Sequence, residues 1–324
     1  MSPFDVAPEL LALAPLALAA GVDLYLTLFF LGAAPALAWW DSLPGALGDL
    51  NSAGVLVMVG TFYLLELLME FLPSAASLFW NSFHAIIRPV AGALLALLLL
   101  EGHPLPVLVP GALLAGLLAS VAHATRTGGG VLFWLDSKRV PNRLLVALLE
   151  DALVLGMVVL LLDLPFLALG VAVVLSLASG RVVGSQVRAF AFAVGLVWAR
   201  VWLTLGQPRW SSPEDFPWWV RDALRGDVMA PGGGLRGCPA GGHRVPGAPR
   251  FAVGWVVVRG DTPLFVYRRR ARTARVDLGT LRAQNVAESA FFRRVELGGA
   301  GSSNLYFRLD GPGCESLRAE FLLG

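Results

Sequence analysis

Long apolar segments constrain this chain more than any other feature of its sequence. A helix that crosses the hydrocarbon core of a bilayer needs ~20 mainly apolar residues to cover ~30 Å. Six segments come close to that length: residues 10–34, 53–72, 85–100, 105–123, 144–162 and 164–180. Hydrophobic residues make up 56% of the chain and charged residues only 15%, too little charge to cover a soluble domain. We therefore expect an all-α helical membrane bundle of about six transmembrane helices, followed by a small C-terminal β-rich domain.

The charges of the loops predict the orientation of these spans. The loops after the first, third and fifth spans contain acidic residues but no Lys or Arg. The loop after the fourth span, residues 124–143, contains four basic residues, and the tail beyond the sixth becomes steadily more basic. Because Lys and Arg favour the cytoplasmic side, we expect a multi-pass protein of the plasma membrane with both termini in the cytoplasm.

Residues 182–205 are apolar but do not resemble a complete span. Arg188 and Arg200 leave only 11 residues between them, which is too short to cross the hydrocarbon core. We expect an interfacial helix or an extension of the sixth span. A seventh span would place the C-terminal region outside the cell, against its own charge.

The second and fifth spans end in similar motifs, Glu-Phe-Leu-Pro at residues 70–73 and Asp-Leu-Pro at residues 163–165. A repeat of three helices would have inverted topology, because three crossings end on the opposite side of the membrane. Inverted repeats are common in transporters, whose sites lie between the two halves. The alternative is a chance similarity between leucine-rich helices.

The composition divides the chain into three regions. Residues 1–205 form the predicted transmembrane domain, residues 206–250 a linker rich in Pro, Gly and Arg, and residues 251–324 a small cytoplasmic domain. Alternating apolar patterns in the last region predict a sheet of four or five strands. The predicted strands are 251–259, 263–272, 291–297 and 303–310.

Arginines alternate in the second of these strands, at Arg268, Arg270 and Arg272, so they would project from one face. Beside a bilayer they could bind anionic lipid headgroups at ~1 kcal/mol per residue. The alternative is a solvated strand face. The dominance of Arg, with Lys138 as the one lysine, is typical of a GC-rich genome. We expect no nucleic-acid partner.

Polar side chains recur in and beside the predicted spans, in the half of the bilayer nearer the cytoplasm. Such groups are costly in hydrocarbon and usually face a bundle interior or a watery cavity. We assign to one inward-facing pocket Glu66, Glu70, His84, Arg88, His123, Arg126, Asn142, Glu150 and Asp151. The helix rise places Glu66 and Glu150 ~10 Å from the cytoplasmic ends of their spans. The alternative is a set of interfacial charges that pair and extend to the surface, but carboxylates are too short for that depth.

These residues also carry a family resemblance. Residues 80–96, with His84 four positions before Arg88, resemble the signature of an uncharacterised bacterial membrane family, domain-of-unknown-function family 4126. Further matches to its pattern are Glu66, Glu70 and Pro73, then His123 to Arg126, then Asn142, Glu150 and Asp151. The resemblance covers about residues 15–175 and implies a protein of the bacterial inner membrane without an established activity. Phe71 replaces a usual lysine, and no clear second basic residue follows Arg126 in the His-Ala-Thr-Arg stretch, so ion pairing in the pocket is expected to differ.

The pocket favours a transporter or permease-like protein that handles an ion or a small anionic solute. In this hypothesis Glu66 and Glu150 carry protons or cations, while Arg88 and His84 orient an anionic group.

Two alternatives come from other functional classes. One is a non-catalytic scaffold or regulator that acts through its basic β domain. The other is a membrane-embedded metalloenzyme acting on lipid headgroups, because His84, His123, Glu66 and Asp151 are suitable ligands for a divalent metal. No HExxH-type motif supports an enzyme, and the sequence predicts no cofactor. It leaves open a divalent metal and an oligomeric assembly.

Overall fold

The computed structural model of this chain describes residues 8–38, 45–71, 74–135, 143–202, 210–225, 234–260, 262–269, 272–279, 281, 283–298 and 303–322. The chain forms two compact units, Met1–Gln186 and Val187–Gly324. Three groups of the predicted sites lie outside the described residues: Asn142, Arg270 and the side chain of Glu70.

The first unit is built from helices. They are α1 (Pro8–Val22), α2 (Leu24–Ala33), a 3₁₀ helix at Gly45–Asn51, α3 (Ala53–Phe71), α4 (Ser74–Leu99), α5 (Leu105–Leu135), α6 (Arg143–Asp163) and α7 (Pro165–Trp202), of which α7 continues past Gln186 into the second unit. α1 packs against α4, α5 and α6, while α2 packs against α3 and α6. The unit is therefore a bundle in which the first two helices are central.

Among the residues that the structure describes, four helices are long and apolar enough to cross a membrane, by length and composition. They are Ala76–Leu99, Leu105–Leu132, Leu145–Asp163 and Pro165–Arg200. Shorter apolar helices cover Glu9–Val22, Leu24–Ala33 and Ala53–Met69. The chain is thus a helical membrane protein, and six spans stay a prediction.

The predicted first span, residues 10–34, is two helices rather than one. Asp23 has extended backbone angles (φ −140°, ψ 105°), and its side chain accepts a hydrogen bond from the amide of Leu26 at 2.9 Å. Asp is a preferred N-cap because its short carboxylate satisfies an amide of the first helical turn. A helix therefore ends at Val22 and a new one begins at Leu24.

α4 and α5 extend well beyond their predicted limits of 85–100 and 105–123. α4 begins 11 residues earlier, at Ser74, and α5 continues to Leu135. Polar residues lie inside α4 without interrupting it, and their side chains hydrogen-bond to carbonyl oxygens of the same helix. Asn81 donates to the carbonyl of Ser77 at 2.9 Å, and Ser82 donates to that of Leu78 at 2.7 Å.

α7 joins the predicted sixth span, residues 164–180, to the segment 182–205. It runs without interruption over 38 residues from Pro165 to Trp202. Pro165 is its first residue, a position that proline favours because its missing amide would have no helical partner there. The segment is thus part of the same helix as the predicted sixth span, as far as Trp202.

Small residues bring α1, α4 and α5 into close contact. A Cβ atom on Gly92 of α4 would lie 2.8 Å from the Cβ of Ala119 and 3.1 Å from the carbonyl oxygen of Ala115, both on α5. A Cβ atom on Gly21 of α1 would lie 2.5 Å from the carbonyl oxygen of Ala119. Small residues serve this purpose in membrane bundles, where the hydrophobic effect does not drive helices together.

The second unit contains an antiparallel sheet of seven strands in the order β4-β3-β2-β1-β7-β6-β5. The strands are β1 (Leu235–His243), β2 (Phe251–Arg259), β3 (Thr262–Arg269), β4 (Arg272–Asp277), β5 (Ala283–Glu288), β6 (Phe292–Leu297) and β7 (Ser303–Arg308). Helices α8 (Trp218–Ala223) and α9 (Cys314–Leu322) complete the unit. The two edge strands, β4 and β5, follow one another in the chain. One core cluster includes Phe265 of β3, Val295 of β6 and Leu317 of α9, so the two halves of the sheet and the last helix share one core.

The central strand β1 lies in the segment 206–250, which the sequence analysis assigned to a linker. Its glycines misled the prediction because they indicate turns in most contexts. Here they make room for aromatic rings. A Cβ atom on Gly241 would lie 2.9 Å from the rings of Phe192 and Phe251, and one on Gly242 would lie 2.9 Å from the ring of Phe265.

The three alternating arginines do not share one strand. Arg268 lies on β3 and Arg272 on β4, whereas the prediction placed both on a single strand over 263–272. Arg269 pairs with Arg272 across the hairpin. The side chains of Arg268 and Arg272 are exposed, and the Arg268 guanidinium lies 5.8 Å from the ring centroid of Trp218 on α8.

Alanine in place of Gly92 should lower the unfolding temperature of the purified protein in detergent, because the new methyl group meets α5. Alanine in place of Gly156 is the matched control, since nothing lies within 4 Å of its Cβ position. Gly→Ala inside an open helix stabilises it by up to about 1 kcal/mol, so this variant should match or exceed the wild type. Equal unfolding temperatures for the two variants would contradict the close packing.

Candidate functional site

The break between α1 and α2 leaves polar backbone groups inside the bundle. Carbonyl oxygens in the last turn of a helix have no amide partner within it. Arg88 of α4 supplies the missing donors: its Nη1 donates to the carbonyl oxygen of Gly21 at 2.8 Å and also to that of Val22. The Arg88 side chain is fully buried. A buried cation therefore caps the C-terminus of α1, where the helix dipole favours positive charge.

Arg88 is the first member of a chain of four charged side chains, which we name the charge network. Its Nη2 donates to Oε1 of Glu66 on α3. Nη1 of Arg126 on α5 donates to the same Glu66 oxygen at 2.7 Å, and Nε of Arg126 donates to Oε2 of Glu150 on α6 at 2.6 Å. Together with the α1 carbonyls, the network connects five helices.

Exposure increases along the charge network. The side chains of Arg88, Glu66, Arg126 and Glu150 are 0%, 3%, 11% and 24% exposed. Removing charges from water is expensive, so buried charges need partners with good geometry. Arg88 and Glu66 are suited to a fixed structural role, while Glu150 is the member that a solute or a proton can reach.

A cavity of about 200 Å³ adjoins the exposed end of the network. Residues of α1, α5, α6 and α7 line it, and its walls are mainly apolar. Arg126 and Glu150 contribute the charged groups, and Thr125 and Ser179 contribute hydroxyls. The cavity thus has mainly apolar walls and one charged wall.

The two predicted histidines lie beside the network but bond to other groups. Nε2 of His84 lies 2.9 Å from the hydroxyl of Tyr25, and its Nδ1 lies 2.9 Å from the carbonyl oxygen of Trp80. Nε2 of His123 lies 3.0 Å from the carbonyl oxygen of Asn81. These contacts position the rings within the bundle.

Asp151 follows Glu150 on α6 but points to a different partner. Its Oδ2 accepts a hydrogen bond from the hydroxyl of Tyr63 at 2.8 Å. Tyr63 is three residues before Glu66 on α3, so Glu150 and Asp151 of α6 both connect to that helix, Glu150 through Arg126 and Asp151 directly.

The structure brings together most of the predicted pocket. Glu66, Arg88, Arg126 and Glu150 are joined by hydrogen bonds, and His84, His123 and Asp151 lie on the same helices with separate partners. Sequence reasoning missed Tyr25, Tyr63 and the carbonyls of Gly21 and Val22. The available signal was Gly21 followed by Asp23 inside an apolar run, which is typical of a helix end and a new N-cap.

Two predicted chemical roles find no support in this geometry. Arg88 was expected to orient an anion, but both of its terminal nitrogens contact protein oxygens. Within the described part of the chain, no three His, Cys, Asp or Glu side chains come together as candidate metal ligands, so the proposed set of His84, His123, Glu66 and Asp151 does not form one site.

Methionine in place of Arg88 should destabilise the protein by roughly 3–5 kcal/mol, the range found when one partner of a buried ion pair is removed. Thermal unfolding in detergent measures the loss. Arg88→Met combined with Glu66→Gln should cost less than the sum of the single variants, because the two residues interact directly. Arg181→Met, at an exposed position of α7, is the control. Losses that simply add would contradict the coupling.

Comparison with known proteins places the network in a family context. A family described as a domain of unknown function (DUF4126) matches residues 10–185. This range contains every member of the charge network and every residue that lines the cavity. No curated protein and no solved structure matches the chain. Over this first part of its length, the chain belongs to the DUF4126 family.

Proposed function

We propose that this protein is a permease-like transporter that moves an ion or a small charged solute, with the charge network as its working part. One observation carries the proposal: the helix break at Asp23 lies in contact with the buried end of the charge network. Transporters often place their sites at discontinuous helices, whose free backbone groups and dipoles contact the transported species. Ionisable side chains within a membrane bundle usually mark such pathways.

The shared guanidinium of Arg126 suggests how the network works. It bridges a buried carboxylate, Glu66, and an accessible one, Glu150. When Glu150 takes up a proton or a cation, its attraction for Arg126 falls. Arg126 then interacts more strongly with Glu66. Since Glu66 also contacts Arg88, and Arg88 caps α1, the change reaches the helix break. The network thereby connects occupancy of the cavity to the position of α1.

The proposal includes six crossings with both termini in the cytoplasm of a bacterial cell. The broken pair α1–α2 would form the first crossing and α3 the second, followed by the four long helices. A three-plus-three inverted repeat would relate the two halves, as in other transporters. The proline that begins α7, Pro165, stands at the position that the repeat assigns to Pro73.

The C-terminal unit favours a second, separate role at the membrane surface. Trp218 is 66% exposed, and the guanidinium of Arg268 lies over its ring. Trp and Arg together are typical of membrane interfaces, where the ring enters the headgroup layer and the cation meets lipid phosphate. We propose that this surface, with Arg272, binds anionic headgroups. A scaffold that acts through this surface alone would leave the charge network without a function.

Flux measurements test the transporter. Liposomes that contain the wild-type protein and a pH-sensitive dye should lose a proton or monovalent-cation gradient faster than dye-loaded liposomes without protein. Glu150→Gln and Glu66→Gln keep nearly the same volume but remove a carboxylate, so flux should fall to the background level. Glu101→Gln, at an exposed position between α4 and α5, is the control. Wild-type flux in all three variants would exclude the charge network from transport, and no flux from the wild type would contradict the proposal itself.

Vesicle binding tests the surface role. The unit Val187–Gly324 should sediment with anionic vesicles but not with zwitterionic ones, and less so at high salt, which screens exposed charges. The fragment 251–324 is unsuitable because it lacks β1. Reversing the charge of Arg268, Arg270 and Arg272 should abolish the binding, whereas Arg318→Glu on α9 should change it little. Equal binding to the two kinds of vesicle would contradict a headgroup site.

A further inference from the structure

The walls of the cavity beside the charge network favour a ligand with an apolar body. Six of its lining side chains are large and apolar: Leu18, Val22, Leu153, Val154, Met157 and Leu175. They come from α1, α6 and α7. A bare metal ion or a strongly hydrated solute would gain nothing from such walls, because polar groups lose hydration on entering an apolar site without new partners. The ligand must therefore bury hydrocarbon as well as carry a polar group.

The charged wall of the cavity favours a cation over an anion. Arg126 directs Nη1 at Glu66 and Nε at Glu150, so its positive charge already faces two carboxylates. An anion entering the cavity would compete with both of them for Arg126 and would lie close to their negative charges. A cation would instead meet the carboxylate of Glu150, the most exposed member of the network at 24%.

The size of the cavity limits the ligand further. About 200 Å³ is smaller than the sites that bind drug-sized molecules, which hold roughly 300–1,000 Å³. The hydroxyls of Thr125 and Ser179 on the wall add oxygen atoms whose partial negative charge favours a cation. In this apolar setting the attraction between a cation and a carboxylate is much stronger than in water.

We infer that this cavity binds a small organic cation, an ammonium group on an apolar body, with Glu150 as its counter-ion. The inference rests on the proposed transport function only for its physiological purpose, because the evidence for the binding site is the cavity itself. It replaces the anionic solute expected from the sequence with a cationic one.

Equilibrium binding to the purified full-length protein in detergent tests the inference. The probe is benzyltrimethylammonium, measured by calorimetry beside two matched compounds. Neopentylbenzene has the same shape without the charge, and phenylacetate carries the opposite charge. We expect the cation to bind more tightly than either. Binding of the neutral isostere or of the anion with equal or greater affinity would overturn the inference.

Two variants locate the binding. Glu150→Gln should weaken the affinity for benzyltrimethylammonium at least about tenfold, because the ammonium loses its counter-charge in an apolar cavity, where charges interact more strongly than in water. Leu175→Trp fills the apolar wall without touching the network and should block both the cation and its neutral isostere. Glu101→Gln should bind like the wild type. Unchanged binding in Glu150→Gln and Leu175→Trp would place the cation elsewhere and refute the site.

The binding measurement separates this inference from the proposed function. Binding that depends on Glu150, in a protein that shows no flux in liposomes, would support the cation site and contradict transport. Flux that depends on Glu150, in a protein that does not bind the cation, would support transport and refute the cation site.

Discussion

The guanidinium of Arg88 is the interaction on which the first unit depends. It lies where α1 stops, and it satisfies two backbone carbonyls and a carboxylate at once. Without it, the break at Asp23 would leave polar backbone groups inside an apolar bundle, at a cost of several kcal/mol for each unsatisfied group. Arg suits this position better than Lys because its planar fork reaches several acceptors with a charge that is always present. The broken helix and the buried cation thus require each other.

Small residues make that arrangement possible. Arg88 reaches α1 because the backbones of α1, α4 and α5 approach closely at Gly21 and Gly92. A larger residue at either position would separate the helices and lengthen the contacts of the guanidinium. Packing and electrostatics are therefore not independent here, and a substitution at either glycine is expected to disturb the network as well.

The sequence predicted the members of the network better than the shape of the helices that hold them. Helical spacing and depth indicated Glu66, Arg88, Arg126 and Glu150, because ionisable groups in apolar segments are rare enough to be informative. The predicted limits of α4 and α5 were wrong because hydropathy reports the free energy of transfer into lipid, and not where a helix ends. Asn81 and Ser82 contact their own helix instead. The strand β1 was missed because its glycines serve packing against aromatic rings, which only the tertiary structure reveals.

The division of the chain clarifies which function belongs to which part. The family match ends at residue 185, and the first compact unit ends at Gln186. The charge network and its cavity lie wholly within this part, so a transport function located there is expected to be a property of the family. The seven-stranded sheet lies outside the matched range. Whatever it binds, its role is expected to be specific to chains that carry it, and loss of headgroup binding should leave the chemistry of the cavity intact.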